Sequence, residues 1–597
     1  MCSSDLFEWE REIYQGVNLR HTMSYNDNKD QKTYTVDFNP KTTALKPVVS
    51  TGIGTVIYGC RLTTMINHYE SIGQHVVFAF NGDGYDTSNG IPLGISINDG
   101  KLLTSGQGRY GFGFNAAGEL QYGSSTLPMS FTIEGGSPIT LAHVNKERKE
   151  QTSGIYFLTE DFYPTTESTA AGVEVVLTVD PGQDGLRIGQ PYRLTVQNVV
   201  TVSNNPNKNK TQIGAGKAVL ATHASSSQYN TLRNLTPGQK VVVNVNDNSD
   251  PKINWSEMQV GLGIFHMLLD NGVVADRVNT NHDVHPRTVM GVRADGSVVL
   301  MQNDGRQVGW ATGFTYKETV EYLRDVRGCI HVFNFDGGGS STVTATLPGD
   351  SKAGILNRPS DGSERNNANA ILFIATSEPV SGSPVQRLHM YPAIAGNNAD
   401  EGIILENGKM SFNVRATDNN YYPVPFGGTV NYSIQNEVGN IGSITTNGVF
   451  TATSGSAKGK IIASYGGIQT SFDIEVTDSI TSIERDFTII SVAPGATRTL
   501  EFRALKGGVP IIMSNESLTF TLNPSSLGTI TASGTFTATS GQGTGNLVVS
   551  YKTFSLSIPV EVGRMPHQIL DFETDIFSEG WVKRYTNIPQ NGGAGKI

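Results

Sequence analysis

Short apolar runs separated by turn residues dominate the chain, and their character changes near residue 380. Before that point the pattern is mixed. Tyr34–Phe38 and His75–Phe80 read as strands, while Cys60–Ser71 places Leu62, Met65, Ile66 and Tyr69 at helical spacing. A second helix is predicted over Tyr316–Val326, with Val320 and Leu323 inward, leading into a short β-type run, Ile330–Phe333. Strands outnumber helices, so residues 16–380 are expected to form an α+β domain large enough for a sizeable core.

Beyond Ser381 only strand patterns remain, rich in Thr, Ser, Val and Gly, and one phrase repeats. Gly442–Gly455 (GSITTNGVFTATSG) returns as Gly528–Gly541 (GTITASGTFTATSG). Each copy sets an Asn-Gly or Ser-Gly turn between alternating strands, and a closing strand follows each, Ser471–Val476 and Leu556–Val562. The spacing predicts two β-sandwiches, 381–479 and 480–564, which resemble bacterial Ig-like modules of the spacer or stalk type. Residues 565–597, with Ile569–Glu573 and Trp581, resemble the cut-off start of a carbohydrate-binding jelly roll.

Composition narrows the function classes. The 597 residues include 67 Gly and carry a formal net charge of -10, which argues against nucleic acid or an anionic membrane surface as partner. No apolar run is long enough to span a bilayer. Cys2, Cys60 and Cys329 are too few and scattered for a disulfide framework or a thiolate metal site. An extracellular or cell-surface location is expected, although no signal peptide opens the chain. Residues 1–15 read as a non-native or disordered start, because Cys-Ser-Ser-Asp-Leu matches a translated sequencing adapter. Oligomeric state is not legible.

Candidate chemistry gathers at strand ends. Asn334–Thr342 (NFDGGGSST) puts Asp336 directly before Gly337, Gly338 and Gly339, then Ser340, Ser341 and Thr342. Glycines let a ligand approach the backbone, successive N–H groups can form an anion nest, and the hydroxyls add donors. As a plain Gly-rich turn the same stretch would need no ligand. Asn81–Asp86 (NGDGYD) offers oxygens that could bind Ca²⁺, but lacks the loop length and terminal Glu of an EF-hand. The alternative there is a solvated turn or substrate loop, and no cofactor is required. Asn145–Arg148 reads as a charge cluster. His282 and His285 lack the further ligands of a zinc site, whereas Arg287 carries a fork suited to phosphate. Asn357–Arg365 combines Ser360, Asp361, Glu364 and Arg365 before a closing strand.

Together these phrases resemble the phosphodiester glycosidase family. Asn334–Thr342 is similar to its signature Asn-Leu-Asp-Gly-Gly-Gly-Ser-Ser-Thr, and Asn81–Asp86, Asn145–Arg148, Arg287–Thr288 with Gly291, Asn303–Arg306 and Pro359–Arg365 follow in the family's order across Gly16–Ser377. Tyr85, Asn303 and the lead-in to Tyr316 depart from the family's usual residues. The resemblance implies hydrolysis of a sugar C1–phosphate bond in a glycosyl phosphodiester, of the N-acetylglucosamine-1-phosphodiester type, within a cell-wall or extracellular glycan. Asp336 is then expected to be the principal carboxylate, with Glu364 or Asp304 as partner. Arg287, Arg365 and the Gly337–Ser341 nest would clamp phosphate, with Thr342 beside them. Asn81, Asp86, Asn145, Arg148, Ser360 and Asp361 would hold sugar hydroxyls or brace loops. The competing readings are a non-catalytic carbohydrate-binding or adhesion protein and a phage tail-associated glycan-degrading protein.

Overall fold

The computed structural model describes residues 6–563, apart from 27–28, 107, 149–153, 206, 249, 394–401, 486 and 508. The jelly-roll-like segment with Trp581 therefore lies outside the described residues, as does Cys2. Strand accounts for 48% of the described residues and helix for 8%, a mostly β architecture. The two long predicted helices do form. One is Leu62–Ser71 and the other is Tyr316–Glu321, which continues into a π-type turn, Tyr322–Val326. The second opens on a capping box in which Thr315 Oγ1 accepts from the Glu318 N–H and Glu318 accepts from the Thr315 N–H.

An antiparallel eight-stranded sheet organises the first domain, in the order Leu6–Tyr14, Val17–Asn26, Lys29–Phe38, Val298–Asn303, Arg287–Arg293, Cys329–Asn334, His266–Asp270, Val273–Val274. Its first strand comes from the start expected to be non-native or disordered. Leu6–Tyr14 pairs with Val17–Asn26, and Ile13 and Tyr14 are buried in the core. Both faces of the sheet are covered, and alternation assigns each residue to one face. Met290, Val298, Leu300 and Phe333 point into a core shared with Phe78, Phe80, Ile371 and Phe373 of a five-stranded sheet. Val289, Val299, Met301 and Val332 point the other way, onto Phe314, Val320 and Leu323 around the second helix. The five-stranded sheet buries its far face against Leu62, Met65 and Ile66 of the first helix.

A second eight-stranded sheet, built mainly from residues 129–245, packs its own core around Phe131, Phe157, Leu194 and Trp255. Farther on, a sheet holding Arg387–Pro392 and Lys409–Thr417 and a sheet holding Ala457–Tyr465 and Ile468–Thr477 share a core of Met390, Phe412, Phe450, Ile461 and Ile474. A second β-layered unit follows around Leu500, Phe536, Leu547 and Ile558. The repeated phrase forms the same hairpin in each, Gly442–Ile444 with Val449–Ala452 and Gly528–Ile530 with Thr535–Ala538.

Candidate active site

The Asp336 loop lies where the chain leaves one sheet and enters the next. Cys329–Asn334 is an interior strand of the first eight-stranded sheet, and Val343–Ala345 joins the five-stranded sheet beside Val76–Asn81. The turn between them is fixed by backbone bonds, from Phe335 N–H to the Thr288 carbonyl (2.9 Å), Asp336 N–H to Gly82 (2.9 Å) and Gly338 N–H to Pro286 (3.0 Å). Asn81, fully buried, ties these parts together. Its amide donates to the Asp336 carbonyl (2.9 Å), and its oxygen accepts from the Thr288 hydroxyl (2.7 Å) and the Thr342 N–H (3.0 Å). In this way it holds the loop.

Two glycines make room for cations. Gly338 has φ +64°, and a Cβ on it would stand 2.8 Å from Arg306 Nη1. A Cβ on Gly339 would stand 2.4 Å from Arg365 Nη2 and 2.2 Å from Asp361 Oδ2. Two guanidinium groups thus pack against adjacent glycines of one nest. Asp361 holds Arg365 in place through bonds of 3.0 and 2.7 Å, and Arg306 rests on His285 Nδ1 (3.2 and 3.1 Å). Burial pushes the Asp336 carboxyl above the usual range, opposed by the nearby Ser340 hydroxyl, the Gly337 N–H and the Arg365 charge. The buried hydroxyls of Ser340 and Ser341 make no hydrogen bond of ordinary geometry, and that of Ser360 is in the same state. Thr342 turns its hydroxyl back to the Ser340 carbonyl (3.3 Å).

Several expected site residues are occupied elsewhere. Glu364 caps the first helix, accepting from the Thr63 N–H (3.1 Å) and hydroxyl (2.6 Å), so the proposed second carboxylate is a structural cap. Asp304 is buried and accepts from Trp310 Nε1 (2.8 Å), the Arg358 N–H (3.0 Å), Gln302 (3.1 Å) and Asn357 (3.1 Å). With four donors on its two oxygens it braces the loop. Arg287, assigned to the phosphate clamp, is buried. It donates to the carbonyls of Phe314 (3.2 Å) and Asp283 (2.7 Å) and stacks on Tyr316, 4.0 Å from the ring centre. Its neighbour Thr288 faces Asn81 instead, as alternation along the strand requires.

Asn145 and Arg148 follow the short strand His143–Val144 of the second eight-stranded sheet. Asn145 bonds the Leu103 carbonyl (2.7 Å) and Thr159 (2.9 and 2.7 Å), and Arg148 pairs with Glu174 at 3.3 Å with neither side chain exposed. Asp86 accepts from the N–H and hydroxyl of Ser88 (2.9 and 2.6 Å) in an Asx turn. The oxygens weighed for Ca²⁺ are thus engaged in protein hydrogen bonds at Asn81 and Asp86. Among the described residues no group of three or more His, Cys, Asp or Glu could hold a metal ion.

Three further residues stand at or near this loop without a distinct sequence signal of their own. Arg306, in the Asp-Gly-Arg phrase, replaces Arg287 at the nest. Asp83, one residue beyond Gly82, is buried with Oδ2 accepting from the Gly94 N–H (2.5 Å) and Oδ1 unpartnered. Burial raises its carboxyl to about 6, against the pull of the Gly94 N–H and the charges of Lys146 and Arg109. Lys146 is likewise buried, donates to the Pro92 carbonyl, and is lowered to about 7 by burial, with Asp83 acting in opposition. The only sequence signal was position, since both sit inside phrases already singled out.

Asp336 thus lies half-buried beside a Gly-rich turn against which two guanidinium groups pack. Residues 192–374 match the family model of the phosphodiester glycosidases. A stretch of 81 residues is 36% identical to the SPbeta prophage-derived uncharacterized protein YomE of Bacillus subtilis, covering 14% of this chain and 11% of that protein. The chain therefore matches about a tenth of this curated relative's length. Among solved structures, a hypothetical protein from Synechocystis aligns at 16% identity and a TM-score of 0.48, over 60% of this chain and 62% of that one. The catalytic domain of zebrafish N-acetylglucosamine-1-phosphodiester alpha-N-acetylglucosaminidase aligns at 12% identity and a TM-score of 0.30, over 62% and 88%.

Proposed function

We propose that the first domain hydrolyses the sugar C1–phosphate bond of glycosyl phosphodiesters in extracellular or cell-surface glycans. The observation that carries this reading is the pairing of Asp336 with a nest whose two glycines are each covered by a guanidinium group, Arg306 and Arg365. The two cations offset the phosphate charge, and more so as the leaving group takes the electron pair of the C1–O bond. Asp336 supports the positive charge growing at C1, and water adds there and gives up one proton to solvent, leaving free sugar and phosphomonoester. Phosphate is a weak base, so little proton donation to it is needed. Asp304 and Glu364, being engaged elsewhere, have no part in this scheme. The β-layered units act as spacers. The likeness to a prophage-derived protein favours a second setting, a phage tail-associated enzyme acting on host-wall glycans with the same chemistry.

The test is incubation of the full chain with N-acetylglucosamine-1-phosphodiesters, including UDP-N-acetylglucosamine, with free sugar measured. Free sugar is expected from the wild type and none above background from Asp336→Asn. Equal turnover by the two proteins, or none by either on any glycosyl phosphodiester, would sink the reading. Release of sugar phosphate would overturn cleavage at C1.

A further inference from the structure

We infer that the cavity beside Arg365 is the saccharide subsite, taking a neutral pyranose ring whose anomeric substituent is anionic. The inference rests on the phosphodiester reading and adds where the sugar sits. A cleft of about 590 Å³ is lined by Tyr58, Tyr85, Ser88, Asn366 and Asn367, with Arg365 on its wall. That volume lies within the roughly 300–1,000 Å³ of small-molecule clefts. Arg365 is also the guanidinium packed against Gly339, and its charge acts on Asp336. One cation therefore belongs both to the cleft and to the nest. The other named lining side chains are two phenols, a hydroxyl and two amides, the mixture that suits a polyhydroxylated ring with an apolar face.

Tyr58 is the main reason to read this cleft as built for a ligand. Its backbone is left-handed, φ +73°, a conformation costly for a bulky residue, and the residue is 43% exposed. A residue needed only for the turn would be glycine, as Gly59 beside it is at φ +52°. The ring is nevertheless held firmly. Its hydroxyl donates to Glu167 Oε2 (3.1 Å) and accepts from Lys208 Nζ (3.2 Å), while Tyr163 meets it edge-on at 5.3 Å. Tyr85 is fixed across the cleft by its hydroxyl bond to the Asn366 carbonyl (2.7 Å). Strain at an exposed aromatic residue, together with side-chain anchors that prevent its relaxation, marks a preorganised platform.

The experiment titrates the full chain with methyl α-N-acetylglucosaminide, which has no phosphate, by saturation-transfer NMR. Tyr58→Gly should weaken binding about tenfold, the loss of one aromatic platform. Its melting temperature should fall only modestly, because relief of the left-handed backbone offsets part of the lost bonds to Glu167 and Lys208. Tyr58→Phe keeps the ring and should bind better than Tyr58→Gly. Absence of glycoside binding by the wild type, or equal affinity in Tyr58→Gly, would overturn the subsite even if hydrolysis proceeds. Tyr58-dependent binding without hydrolysis supports the subsite and removes only the catalytic reading.

Discussion

Replacing Arg148 with methionine should destabilise the first domain by about 3–5 kcal/mol, the typical cost of removing one partner from a buried ion pair. Arg148 and Glu174 are both fully shielded, and Arg148 also donates to the carbonyls of Ala170 (2.8 Å) and Ala171 (3.2 Å) and to Ser168 (3.2 Å). Methionine fills much of the volume but returns none of these bonds. Glu174 would keep the hydroxyls of Ser168 (2.6 Å) and Thr166 (3.0 Å) while losing its cation. The charge left behind, not the lost attraction, dominates the penalty. Substituting both partners, Arg148→Met with Glu174→Leu, removes that charge and should recover most of the loss, since apolar replacement of a buried pair is often near neutral. Urea unfolding monitored by tryptophan fluorescence reads the effect, because Trp255 is buried in the core that packs on the sheet carrying Glu174. Turnover measured well below the transition should be close to wild type. An Arg148→Met protein with unchanged urea midpoint and lost turnover would refute the structural role and return Arg148 to the substrate.

The remaining predictions concern the site itself. Arg306→Ala should lower kcat/KM by about 10- to 100-fold, the worth of a charge-assisted contact, whereas Arg287→Ala should chiefly lower stability; the reverse pattern would restore Arg287 to the clamp. Gly339→Ala should raise KM with little change in melting temperature, because the new methyl meets the Asp361–Arg365 pair and not the backbone; an unaltered KM would mean that the pair does not bear on substrate. Asp83, raised from 3.8 to about 6, contributes stability that is present below pH 3.8 and lost as pH rises through 6. Asp83→Asn should therefore flatten the decline in unfolding free energy between pH 4 and 6, by about 3 kcal/mol, in denaturation curves taken across that range; an unchanged slope would show that the carboxyl is not strained. Lys146, lowered to about 7, loses its contribution in the other direction, as pH falls from its ordinary range through 7.

Local patterns and one motif carried much of this protein. Helical spacing located the Leu62–Ser71 and Tyr316–Glu321 helices, the repeated phrase located two matching hairpins, and Asn334–Thr342 located the turn around which Asp336, Arg306 and Arg365 gather. These features depend on residues close in sequence, whose periodicity and turn chemistry are written locally. Which polar side chains face a ligand was decided by long-range packing. Glu364 and Arg365 are neighbours, yet one caps a helix some 300 positions earlier in the chain, at Thr63, while the other covers Gly339. Arg287 and Arg306 both looked fit for phosphate, but the strand turns Arg287 onto Tyr316 and the loop lays Arg306 against Gly338. A guanidinium or carboxylate has the same chemistry whether it braces or binds, and only burial and the partners supplied by distant strands separate the two.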